Sequence, residues 1–299
     1  MREDSMGPEH PEVSVVMPNY NKGRFISAAI QSVLDQTFSD LELIIVDDAS
    51  TDDSVLVAER YARAHGTKVR LLEFSERKGP AAARNAGIRS AKGEVICFLD
   101  SDDLYSPQKV ERQLDALKAE TKPMVVYCDW WRIDQEGNML NRGKRERLQK
   151  SGRVFPNALR MVFGFSTMFL VRKELLEAVG LYDESLWWAE DYDLALKLAR
   201  DYDFKYLEEQ LYGYRTHEEN TRNLRSRKER LYYEGLVTER HFKSGKSLLD
   251  AESENKVTSL MMRYFALTGQ RSKMLRYGLS GFGAFRSMVS SLLNYREIR

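Results

Sequence analysis

Residues 41–54 read LELIIVDDASTDDS, and residues 94–103 read EVICFLDSDD. Each is an apolar run with no polar face, cut off by a burst of carboxylates. Runs of this kind, too short for a helix and without alternation, are what a strand buried on both faces looks like. Outward from these two, VSVVM (13–17), VRLLEF (69–74) and MVVYCDWW (124–131) repeat the pattern. Helical spacing fills the gaps at about 23–36, 52–65, 80–90 and 107–118. Gly66 stops the second of these helices, while Ser106 and Pro107 offer an N-cap and a first-turn residue to the fourth. Strand and helix alternate four times along this stretch, which predicts an α/β, Rossmann-like, mostly parallel sheet with helices on both faces. Ligands of such a sheet bind beyond the carboxyl ends of its strands. The acids lie there.

Past Trp131 the pattern loosens into a turn at Asp134–Asn138, a charged loop over Asn141–Gly152 and a strand in FSTMFLV. A helix follows from about Glu190 to Arg200. From about Leu224 the pattern is helical throughout, so a boundary near Thr221 divides an α/β part, residues 1–221, from a helical part, residues 222–299. Net charge divides at the same place. Residues 222–299 hold 16 Lys and Arg against 7 Asp and Glu, in a chain whose overall charge is +1. That basic region matches no zinc-finger, basic-zipper or RNA-recognition pattern, so nucleic acid is a weak expectation as partner. Cys97 and Cys128 sit in apolar runs and read as buried thiols of a reducing compartment. No run approaches the ~18 residues of a membrane span, and the expectation is a cytoplasmic protein. Leu275, Leu279, Phe282, Phe285, Val289, Leu292 and Leu293 recur at helical spacing with Arg276, Arg286 and Arg296 nearby. This stripe fits packing on the protein itself, a homodimer contact, or peripheral attachment to an anionic membrane through 270–299.

The acids need a reason. Asp47 and Asp48 end one strand, and Asp100, Asp102 and Asp103 surround Ser101 after another. Carboxylates this close repel one another unless solvated or joined by a cation, and hard oxygen ligands favour Mg²⁺ or Mn²⁺. Favourable charge at a helix N-terminus accounts for Asp52 and Asp53 but poorly for Asp100 and Asp102.

The segments VSVVMPNYN, LIIVDDASTDDS, GPAAARNAGIRSAKGEVICFLDSDD and WWAEDYDLALKLA, in this order over about residues 12–217, closely resemble the family 2 nucleotide-sugar glycosyltransferases of GT-A fold. The resemblance implies a nucleotide-sugar donor of UDP or dTDP type, a carbohydrate or lipid-linked acceptor, and a role in polysaccharide, glycolipid or cell-surface glycan synthesis. It implies that Pro18, Asn19 and Tyr20 contact the nucleotide base, with the tyrosine ring stacking on it; a core tyrosine is the alternative. Asp48 matches the acid that accepts a hydrogen bond from the base. Arg84 matches an arginine near the nucleotide, against the alternative of a surface ion pair. Asp100-Ser101-Asp102 matches the D-x-D element, with Asp102 on the cation, Asp100 toward the ribose or an outer-shell water, and Asp103 capping the helix at Pro107. His217 matches a histidine near the metal and diphosphate, against a surface histidine. Glu190 and Asp191 match the E-D element on the acceptor side, and Asp191 is the implied general base of an inverting transfer. A retaining route would call for a nucleophilic carboxylate as well.

Trp130-Trp131 and Trp187-Trp188 are adjacent pairs, so one of each is expected in the core, and Trp188 is the better platform for a sugar. Two other functions compete. A sugar nucleotidyltransferase would need a glycine-rich loop after the first strand, where VSVVMPNYNKG has one glycine, placed late. A catalytically dead nucleotide-sugar binding module would have no need of Asp102 and Asp191.

Overall fold

The computed structural model describes residues 10–142, 150–161, 166–220, 223, 225–270 and 272–273. The stripe from Leu275 to Leu293 and much of the charged loop at 141–152 lie outside the described residues. Four strands run parallel in the order expected of βαβ units: β3 (Val69–Glu73), β2 (Leu41–Asp47), β1 (Val13–Asn19) and β4 (Val95–Phe98). Their connections are α1 (Gly23–Leu34), α2 (Ser54–His65) and α3 (Pro80–Ser90). Gly66, with φ of 55°, ends α2 as its sequence predicts.

Beyond β4 the sheet departs from the expected parallel order. The next strand in space is β8 (Phe169–Arg172), which runs antiparallel to β4 and to β6 (Met124–Ile133). An apolar strand buried on both faces reads the same in either direction, so its sequence carries no sign of polarity. Past β6 comes β9 (Asp203–Arg215), parallel to it, with β5 (Leu104–Tyr105) antiparallel at the end and β7 (Met139–Arg142) also paired to β6. No strand is expected at β9 from its sequence, DFKYLEEQLYGYR, because its middle is polar, and in the structure that middle is only partly buried.

Alternate residues of the central strands feed two cores. Val16, Ile44, Val46, Ile96 and Phe98 meet Ala83 and Ile88 of α3 on one face. Val15, Met17, Leu43, Ile45, Cys97 and Leu99 meet Ile26, Ile30 and Val33 of α1, and Leu114 of α4 (Lys109–Lys118), on the other. Both cysteines are buried free thiols. The first core extends through α5 (Phe155–Met161) and α7 (Glu190–Asp201), flanked in sequence by α6 (Lys173–Ala178), into α8 (Arg227–Gly245) and α9 (Ala251–Leu267). Val237, Phe242, Met261 and Phe265 therefore share a core with the sheet, and the Tyr192 hydroxyl donates to the Leu159 carbonyl at 2.9 Å beside Thr238.

Three local expectations are corrected. Helix α4 begins at Lys109 after Gln108, and the Ser106 hydroxyl turns to Gln108 instead of capping it. Asp103 does not cap that helix either. Its oxygens accept the Tyr212 hydroxyl at 2.6 Å and the Arg215 N–H at 2.7 Å, because these β9 groups cross its side of the sheet. Of the first tryptophan pair Trp130 is half-buried and packs against the second core, whereas in the second pair neither member is buried and Trp187 is 41% exposed.

Candidate active site

The ends of β1, β2 and β4, the start of α3, the start of α7 and the end of β9 converge on one side of the sheet. At β1 the chain supplies Pro18, paired with Val46, then buried Asn19 and half-buried Tyr20. Asn19 Nδ2 donates to Asp47 Oδ1 at 2.7 Å and Ser54 Oγ at 2.9 Å, so Asp47 ties two loops together. Asp48 next to it faces the other way. It accepts the Lys78 N–H at 2.6 Å and the Gly79 N–H at 2.9 Å, which fixes the turn into α3. Gly79 holds φ of +93°, open to glycine and costly to other residues. The Arg77 guanidinium lies 3.9 Å from the Tyr20 ring centroid and 3.9 Å from Asp48 Oδ2, so the tyrosine already carries a cation–π partner.

Arg84, on α3, is 3% exposed, which removes the surface ion pair as its explanation. Nη2 reaches Asp100 at 2.8 Å, and Nη1 reaches Glu190 at 3.1 Å and Asp191 at 3.6 Å. One buried cation thus joins the acids after β4 to those opening α7. Ala189, with φ of +66°, turns the chain just ahead of that helix. Burial first, then the neighbouring Asp191 charge, pushes Glu190 up to about 7 against the pull of Arg84. Asp191 accepts a hydrogen bond from the Ser166 hydroxyl, which in turn accepts one from the Tyr182 hydroxyl at 2.5 Å.

Ser101 is buried. Asp102 Oδ2 lies 3.0 Å from Lys22 Nζ and 2.9 Å from His217 Nε2, and Arg215 Nε donates to its carbonyl at 2.7 Å. Burial drives the Asp102 carboxyl upward, but the His217 hydrogen bond and the Lys22 ammonium outweigh it and hold the group at about 2. His217 is 5% exposed, not a surface histidine; its ring packs 4.7 Å from that of Phe25, and its Nδ1 meets no protein group among the described residues. Of the second tryptophan pair, Trp188 is half-buried, while the Trp187 ring lies 3.4 Å from where a Cβ on Gly79 would stand.

Lys22, Ser166, Tyr182 and Arg215 are absent from the sequence-derived site. Lys22 stands within the VSVVMPNYNKG run and offered a signal, as a cation beside a loop of expected anion binding. Ser166 and Tyr182 act through partners more than a dozen residues away, which no local pattern encodes, whereas Arg215 lies in the Tyr214-Arg215-Thr216-His217 run that the sequence marks through His217.

The glycosyl transferase family 2 profile matches residues 14–180, and the chain belongs to that family. The match ends ahead of Glu190, Asp191 and His217. An uncharacterized glycosyltransferase of Rickettsia prowazekii is 36% identical over 191 residues, 62% of this chain and 57% of that protein. Chondroitin synthase of Escherichia coli is 34% identical over 191 residues, 62% of this chain and 26% of that protein. The chain thus spans less than two thirds of either relative. Among solved structures, S. aureus TarS 1–349 in complex with UDP has a TM-score of 0.63 at 19% identity, covering 96% of this chain and 92% of that one. The mannosyltransferase PcManGT of Pyrobaculum calidifontis, in complex with GDP-Man and Mn²⁺, has a TM-score of 0.64 at 21% identity, covering 95% and 80%. The fold is that of the GT-A glycosyltransferases.

Proposed function

We propose that this glycosyltransferase moves a sugar, with inversion, from a nucleoside diphosphate of UDP or dTDP type to an acceptor hydroxyl, with Asp191 as the general base. The observation that carries the reading is Arg84. Its guanidinium pairs with Asp100 on the expected donor side and with Glu190 and Asp191 on the expected acceptor side, so the two half-sites are held in one geometry by a buried charge. In this reading Tyr20, Asn19, Pro18 and Asp48 receive the base, Asp100 and Ser101 the ribose and diphosphate side, and Glu190 and Trp188 the acceptor. An inverting transfer asks one carboxylate to take the acceptor proton as its oxygen bonds the anomeric carbon, while the diphosphate departs with the electron pair of the broken bond.

The acids suit a divalent cation. Asp100, Asp102 and Asp103 offer oxygens within 4.8 Å of one another, but Asp103 spends both on Tyr212 and Arg215. Asp102 and His217 are the residues that would hold Mn²⁺ or Mg²⁺, with the histidine favouring manganese. Such an ion, when bound, supplies positive charge against the departing diphosphate. Among the described residues no helix is long and apolar enough to cross a membrane. A cytoplasmic location, peripheral membrane contact or dimer formation through 270–299, and a division of the chain near Thr221 stand as proposals on the composition and pattern of the sequence.

The test is Asp191→Asn. Calorimetric affinity for nucleotide should stay within about twofold while turnover falls by ~10²–10⁴, the usual worth of positioned proton transfer. Equal loss of both, or of neither, would overturn the base assignment.

A further inference from the structure

We infer that Ser166, backed by Tyr182, is a positioning residue that aims the Asp191 carboxylate; this rests on the reading of Asp191 as the base. The Ser166 side chain is fully buried, in a 3₁₀ turn, Ser166–Met168, that leads into β8. That turn is pinned from below, where Gln113 Nε2 donates to the Met168 carbonyl at 2.9 Å. Tyr182 is pinned more firmly. Asn85 of α3 takes both its backbone groups, donating from Nδ2 to the Tyr182 carbonyl at 3.0 Å and accepting its N–H on Oδ1 at 3.0 Å. The Tyr182 ring packs edge-on to Phe98 with centroids 5.7 Å apart.

Direction follows from proton count. Tyr182 donates its one hydroxyl proton to Ser166 Oγ, and Ser166 donates its own to Asp191 Oδ1. A carboxylate can only accept, so the chain runs one way while Asp191 is ionised. Oδ1 is thereby committed, with Arg84 on the same oxygen at 3.6 Å. Oδ2 meets no protein donor among the described residues and remains for the acceptor. The proton of the acceptor hydroxyl passes to Oδ2 as its oxygen forms the new glycosidic bond.

The charged and titratable groups around Asp191 are Arg84 of α3, Tyr182 behind Ser166, Glu190 beside it at the start of α7, and Asp100 at the end of β4 on the far side of Arg84. A hydrogen bond to the ionised form lowers a carboxyl pKa, so its loss raises it. A base must be ionised to act.

The experiment needs no knowledge of the acceptor. Full-length protein carrying [γ-¹³C]aspartate is titrated by NMR, with the Asp191 signal assigned by its disappearance in Asp191→Asn. Ser166→Ala should raise the Asp191 midpoint by about one pH unit, the size of one hydrogen bond. Ser166→Thr should restore it, and Tyr182→Phe should move it the same way by less. In parallel, release of UDP from UDP-GlcNAc with water as acceptor should lose about tenfold or more in kcat in Ser166→Ala, with donor KM within twofold. Tyr182→Phe retains the ring and serves if Ser166→Ala does not fold. An unmoved Asp191 midpoint in folded Ser166→Ala or Tyr182→Phe overturns the inference. If the midpoint moves but Asp191→Asn keeps full turnover, the base reading fails and the hydrogen-bond chain stands.

Discussion

Lys22 Nζ and His217 Nε2 converge on a single oxygen of Asp102, at 3.0 Å and 2.9 Å. That carboxylate, held at about 2 by these two groups, is half-buried and lies with Asp100 and Asp103 in a cluster whose oxygens are within 4.8 Å of one another, so three acids share one place. Two diphosphate charges do not approach such a place without a cation. Asp102→Ala should therefore abolish the Mn²⁺-dependent part of UDP affinity in calorimetry and leave the metal-independent part intact. Persistence of the metal increment would remove Asp102 from the metal assignment.

Glu190 provides a pH signature. Its folded value near 7 lies above the ordinary 4.5, so the folded state holds a proton that the unfolded chain releases between these values. The associated stability is complete below about pH 4.5 and is lost as pH rises through about 7. Glu190→Gln should flatten the urea-unfolding free energy across that window, and a slope identical to that of the parent chain would contradict the raised value.

Asp193, two residues along α7 from the proposed base, is fully buried and meets His241 at 2.9 Å, Lys197 at 2.8 Å and Arg240 at 3.2 Å. Burial opposes its ionisation, but the His241 hydrogen bond and the Lys197 charge prevail and hold it at about 2, below its ordinary 3.8. Its stabilisation is thus present above about pH 4 and lost as pH falls toward 2. Removing a partner leaves a buried charge short of compensation, so Asp193→Asn should flatten the acid limb, and His241→Ala should cost about 2–4 kcal/mol in denaturant titration. An unchanged midpoint for His241→Ala would show that α8 does not brace α7 through this pair.

Gly87 lets α3 lie against β1. A Cβ at this position would overlap Val16 Cγ1. Gly87→Ala should lose about 1–3 kcal/mol by overpacking, and less in a Val16→Ala background because the offending methyl is gone. Additive losses in the double variant would place the strain elsewhere.

What the sequence discloses here is set by range. The apolar runs and their terminal acids depend on neighbours in the chain, so β1 to β4, α3 from Pro80 to Ser90, and the Asp100–Asp103 cluster are all legible. Arg84 is visible as a residue, but its burial between two acidic groups is not, since Glu190 lies over a hundred positions away. Ser166 and Tyr182 look like ordinary core-edge residues until they meet. β9 hides because Lys205, Glu208, Glu209 and Gln210 suit a helix as well as a strand, and its pairing with β6 decides the matter.

The reversal at β8 decides which residues can become neighbours. Parallel strands deliver their last residues to the edge of a sheet that holds their carboxyl ends, whereas a strand entering from that edge delivers its first. Because Cys97 faces Leu170 in opposite polarity, the turn that opens β8 arrives next to the acids that close β4. Had β8 run with its neighbours, Ser166 would have been left a strand's length away, ~13 Å for four residues at 3.3 Å each. One inverted segment thus carries a hydroxyl from the middle of the chain to Asp191, the proposed base.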